Sequence, residues 1–128
     1  MTREKFEEIA EEVFNGLPDV FGKRIDNLHI VVEEYPNEED NRQTLSSKTI
    51  LLGLYQGVPL THRGTWYGVN PTTPDKISLY QKNIESVCHN DKEVSERIRE
   101  VLLHELGHYF GMNEAQIRSA MINFKSLH

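Results

Sequence analysis

Two histidines four residues apart, His104 and His108, bracket a glutamate in the stretch HELGHYFGMNE near the end of the 128-residue chain. On a helix they lie about 40° apart in azimuth and one turn apart in height, so both imidazoles can reach one ion. Glu105 falls beside the pair without joining it, where a carboxylate can take a proton from water on a metal. That is the mechanical content of the H-E-x-x-H spacing. Zinc lowers the pKa of a bound water to about 7, and an adjacent Glu can then pass the proton on to a leaving amine. The spacing therefore points to metal-assisted hydrolysis with Glu105 as general base.

Two histidines hold zinc poorly, and a hydrolytic site ordinarily has three protein ligands and one open position. Downstream of His108 the one acidic residue is Glu114, and the one other histidine is His128 at the terminus. Gly111 makes Glu114 reachable, because glycine readily adopts the left-handed conformation that ends a helix and turns the chain back. The pattern is thus HExxHxxGxxE, and His104, His108 and Glu114 form a candidate His₂Glu zinc site. The competing reading of Glu114 is an acidic residue favoured by the helix dipole in a first turn. Cys88 is a second candidate third ligand, since a thiolate can fill that role.

These residues need a helix under them. Asn90 and Glu93 have capping-box spacing, and from there to Phe110 the sequence carries no Pro and no Gly except Gly107, which predicts one long helix. Leu102, Leu106 and Phe110 point roughly 160° away from the histidines and would anchor that helix to a core. Asn113 with Gln116 predicts a second capping box, and Ile117, Ala120, Met121 and Phe124 a buried stripe on a short last helix.

Upstream, Phe6, Ile9, Ala10, Val13, Phe14 and Leu17 recur at helical intervals and predict an amphipathic helix over 3–16, stopped by Gly16 and Pro18. Strands are expected at 27–34, 49–55, 62–69 and 76–81, with a solvated acidic loop over 36–47. The order of helix, strands, helix, helix reads as an α+β fold.

Composition narrows the function. At 128 residues the expectation is a single domain over 1–128. A net charge of −6, with the 14 Lys and Arg dispersed, argues against nucleic acid as a partner. Mean hydropathy is −0.56 and no apolar run is long enough to span a bilayer, so no membrane partner is expected. MTREKFEEIAEEVF lacks the basic start and apolar stretch of a secretory signal, and the single cysteine, Cys88, cannot form an internal disulfide. Both fit a cytoplasmic protein.

HExxHxxGxx followed by an acidic residue, with LLGLYQGVPLTHR at 51–63 and KISLYQKNIE at 76–85, resembles the small bacterial zincin-like metallopeptidases, sometimes described as minimal metalloproteases. The resemblance covers nearly the whole chain. It implies that His104 and His108 bind zinc, that Glu105 is the catalytic base, and that Glu114 stands in the place of the third ligand. It implies a small twisted mixed sheet backed by helices, with the active-site helix behind the sheet. The family commonly carries Asp where this chain has Glu114, and no Met-turn is evident. A peptide or protein substrate would align along an edge strand, with 62–69 as the candidate rim. Tyr67, Tyr80 and Tyr109 are candidate oxyanion donors, and Arg63 is expected to pair with Glu33 or Glu34. The rival to a zinc peptidase is a metal-binding regulatory or interaction domain whose site is closed by a fourth protein ligand; the blandest reading is a domain without metal.

Overall fold

The computed structural model describes residues 1–16, 28–38, 50–57 and 75–127, and of 121–127 the backbone alone. The expected strand and substrate rim at 62–69, Tyr67, Arg63, His62 and His128 lie outside those residues, as does most of the acidic loop.

Helix α1 (Arg3–Asn15) starts where Thr2 accepts from the Lys5 N–H and buries Phe6, Ile9 and Ala10, the stripe that its periodicity predicts. Strands β1 (Leu28–Glu33), β2 (Gly53–Gln56) and β3 (Asp75–Tyr80) follow, then α2 (Gln81–Ser86), α3 (Asp91–Tyr109) and α4 (Glu114–Leu127). The strands form one mixed sheet in the order β1-β3-β2, with β1 parallel and β2 antiparallel to β3. The layout is the expected α+β arrangement.

Core side chains come from every layer. Val94, Ile98, Val101, Leu102 and Leu106 of α3 join Phe6 and Ile9 of α1, Val32 of β1, Ile77 and Leu79 of β3, and Ile84 of α2. Leu102, Leu106 and Phe110 are buried, so the anchoring face of α3 is the one opposite the histidines. No helix among the described residues is long and apolar enough to cross a membrane.

Four expectations change. The second strand runs over 53–56 rather than 49–55, although the Leu52 carbonyl still accepts from the Tyr80 N–H. Gln81–Ser86 forms a helix with no counterpart among the expected elements, a single turn and a half too short to show periodicity. Ala120 is exposed, so the described part of the α4 stripe is Ile117 alone, and α4 is 14 residues long rather than short.

Two glycines set how closely α3 is approached. A Cβ on Gly53 would lie 2.5 Å from Val101 Cγ1, so its absence lets β2 close on α3. A Cβ on Gly107 would lie 2.5 Å from Ile117 Cγ1, so the glycine inside HExxH is what lets α4 dock. Since α4 carries Glu114, Gly107→Ala is expected to cost about 1–3 kcal/mol through overpacking. Displacing the carboxylate should also lower by about tenfold the affinity with which His104, His108 and Glu114 would hold a metal, read by denaturant unfolding and by metal titration.

Candidate metal centre

Helix α3 delivers the two histidines and α4 delivers the acid. The Asn90 side chain caps α3 by accepting from the Glu93 N–H at 2.9 Å, as the capping-box spacing predicts, while Glu93 accepts from the His89 N–H, one residue earlier than expected. The helix ends at Tyr109, and the chain turns past it at Gly111, whose φ of 82° is left-handed. Asn113 and Gln116 then form a reciprocal capping box, at 2.9 Å for Gln116 N–H to Asn113 and 2.8 Å for the return bond. Glu114 is thereby fixed in the first turn of α4, facing back toward α3.

One carboxylate oxygen meets both imidazoles. Glu114 Oε1 is 2.9 Å from His108 Nε2 and 3.4 Å from His104 Nε2, and the two rings lie 5.1 Å apart, edge to face. His104, His108 and Glu114 each offer a donor atom, all within 4.8 Å of one another. Donors at tetrahedral angles around an ion, with bonds of about 2.0–2.1 Å, stand about 3.3 Å apart, close to the 2.9 and 3.4 Å from Glu114 Oε1 to the two imidazoles, so the group could hold zinc. The nitrogen and carboxylate chemistry fits it as well. Glu114 also stands in the first turn of α4, where the helix dipole favours an acid, so both readings of this residue describe the same placement.

The three side chains open on a cavity of about 640 Å³ whose wall includes Leu54, Tyr55 and Met112. A second cavity of about 320 Å³ shares His104 and Glu105 with it and continues along α3 past Val101 to Arg97. Both histidines are about one-third exposed on this side, and Glu114 is 60% exposed.

Glu105 is held differently. Its side chain is 11% exposed, Oε1 accepts from the Tyr55 N–H of β2 at 2.9 Å, and Oε2 stands 3.9 Å from His104 Nε2. Burial pushes its pKa up to about 7, with the Glu114 charge adding to the rise and the Tyr55 N–H opposing it. The outward direction of that N–H follows from register. Leu54 opposes Ser78 and the Leu52 carbonyl bonds Tyr80, so the main-chain groups of the even-numbered residues of this stretch face β3 and those of Gly53 and Tyr55 turn away from it.

Other candidates fall elsewhere. Tyr80 and Tyr109 are fully buried, so they are packing residues rather than oxyanion donors lining the cavity. Cys88 is outside the donor group; burial raises its pKa against an opposing hydrogen bond from Arg97. Tyr55 and Asp75 are functional candidates that sequence reasoning missed. The Tyr55 hydroxyl donates to Asp75 Oδ2 at 2.8 Å, and Asp75 is 3% exposed. The available signal was the pair of glycines flanking Leu-Tyr-Gln, since glycine in a strand marks a close approach or a bend.

A family model described as zincin-like metallopeptidase matches residues 25–122. The chain belongs to the zincin-like metallopeptidase family. Among solved structures, this zincin-like chain is similar to a conserved hypothetical protein from Thermo thermophilus, with a TM-score of 0.56 and 23% identity over 86% of this chain and 94% of that one. At that identity the likeness concerns the fold. No curated protein matches the chain. Zincin-like proteins imply a metal, usually zinc, and the His104, His108 and Glu114 group is one that could hold it.

Proposed function

We propose that this zincin-like protein is a zinc-dependent peptidase in which His104, His108 and Glu114 hold the metal and Glu105 is the general base. The observation that carries the reading is the placing of a buried, proton-accepting carboxylate next to three converging donors at the wall of an open cavity. Zinc bound there would polarise the scissile carbonyl and bring the pKa of water to about 7.

The chain's own residues do the rest. The Tyr55 N–H holds one oxygen of Glu105 and leaves the other toward His104, where it can take a proton from the attacking water. That second oxygen stands 3.9 Å from His104 Nε2, so Glu105 is placed to accept the proton of the attacking water and then give it to the departing nitrogen as the C–N bond breaks. Glu114 and the capping box behind it keep α4 from carrying the third donor away. A peptide or protein is the substrate class, taken in extended form against a strand edge beside the cavity.

The test is hydrolysis of a mixed peptide library followed by mass spectrometry. Cleavage is expected with zinc, lost on chelation and restored by adding zinc back. Cleavage that persists in chelator, or a protein that binds stoichiometric zinc and cleaves nothing, overturns the peptidase reading; the latter outcome favours the closed regulatory site.

A further inference from the structure

Tyr55 makes two bonds with different ends of itself. Its main-chain N–H donates to Glu105 Oε1 at 2.9 Å, and its hydroxyl donates to Asp75 Oδ2 at 2.8 Å. Residue 55 is thus the link between the carboxylate beside the histidines and a second carboxylate, 3% exposed, at the first position of β3.

Burying a carboxylate is costly unless hydrogen bonds compensate it. The Tyr55 ring meets Tyr109 edge to face at 5.8 Å, a contact that phenylalanine would make equally well. The hydroxyl and Asp75 add direction instead. Register places Tyr55 opposite Ile77, so the bond to Asp75 runs diagonally from β2 to the start of β3 and ties down that end of the strand pair. Gly57 belongs to the same arrangement: its φ is 153°, and a Cβ there would collide with the Asp75 carboxyl group. The glycine leaves Asp75 the space from which it reaches Tyr55.

We infer that Asp75 is a positioning residue for Glu105: by holding the Tyr55 hydroxyl, it fixes the β2 peptide whose N–H orients the Glu105 carboxylate beside the histidines. The inference rests on the reading of Glu105 as general base. Asp75 is not among the described residues that line the cavity, so it acts at one remove. It acts through a short strand, since β2 is four residues long and pairs with β3 among the described residues. A shift of about 1 Å in a reacting group can cost 100-fold in rate, so even partial release of Tyr55 is expected to show.

Three substitutions in the full chain separate this role from a merely structural one. Asp75→Ala and Tyr55→Phe remove the bond, while Asp75→Asn keeps an oxygen that can accept from the hydroxyl. Amide hydrogen exchange at residue 55 is measured by NMR, alongside zinc content, kcat and KM, with Glu105→Ala as the reference for a lost N–H contact. Asp75→Ala and Tyr55→Phe are expected to speed exchange at residue 55 about tenfold and to lower kcat about tenfold, with KM and zinc content within about twofold. Asp75→Asn should restore both. Unchanged exchange at residue 55, or kcat within about twofold of the parent while Tm falls, overturns the inference and leaves Asp75 a sheet residue. If Asp75→Ala does not fold, Tyr55→Phe decides by the same two readouts. If the parent hydrolyses no peptide, the general-base reading fails, and the exchange comparison still decides whether Asp75 controls the contact with Glu105.

Discussion

Glu105→Gln is expected to lower turnover by about 10²–10⁴-fold while leaving one zinc per chain, because it removes the proton acceptor and none of the donors. Glutamine keeps an oxygen for the Tyr55 N–H, so the wall of the cavity stays in place. The same substitution has a second consequence in metal-free protein. Burial raises the Glu105 pKa from 4.5 to about 7, so between those values the folded chain binds more protons than the unfolded one and stability falls as pH rises. The stabilisation of the protonated form is fully present below pH 4.5 and is lost as pH passes through about 7. At 1.36 kcal/mol per unit the loss is on the order of 3 kcal/mol. Metal-free Glu105→Gln should therefore lack this decline and exceed the parent in stability at pH 8, as measured by urea midpoints in chelator at pH 5 and pH 8. An equal fall with pH in both proteins would show that Glu105 is not the strained group.

His108→Ala is the second large effect. Changes to groups behind a ligand already cost 10–100-fold in metal affinity, so removing a ligand is expected to cost more than about 100-fold. His108 Nε2 stands closer to Glu114 than His104 does, 2.9 Å against 3.4 Å, and its loss leaves the carboxylate a single imidazole partner. Saturating zinc at 1,000 times its Kd stabilises a folded chain by about 4 kcal/mol, so the parent should show a zinc-dependent rise in Tm that the variant lacks at the same concentration. Cys88→Ser, outside the donor group, should bind zinc as the parent does. A matching loss in Cys88→Ser would move the third ligand from Glu114 to the thiolate.

The convergence of His104, His108 and Glu114 was legible because each placement depends on local rules. Four-residue spacing on a helix brings His104 and His108 together, the glycine at 111 supplies the left-handed turn, and Asn113 with Gln116 starts the next helix in the orientation that returns Glu114. The amphipathic stripe of α1 and the anchoring face of α3 follow from period alone. What holds Glu105 was not legible, because the donor is a main-chain N–H 50 residues away and a backbone group leaves no mark of its type in a sequence. Gly107 shows the same limit from the other side. Inside a helix it reads as a weak point, and only the arrival of Ile117 from α4 explains it. The start of β2 was misplaced because Ile50, Leu51 and Leu52 have strand-forming side chains, while pairing with β3 depends on where that partner ends.

Zinc K-edge absorption on the zinc-loaded parent tests the centre most directly. The expected first shell is two imidazole nitrogens and two oxygens at about 2.0–2.1 Å, one oxygen from Glu114 and one from solvent. Replacing Glu114 with Ala should remove one of the protein donors from that shell. A sulfur at about 2.3 Å, or a shell filled by four protein donors with no solvent oxygen, would contradict it.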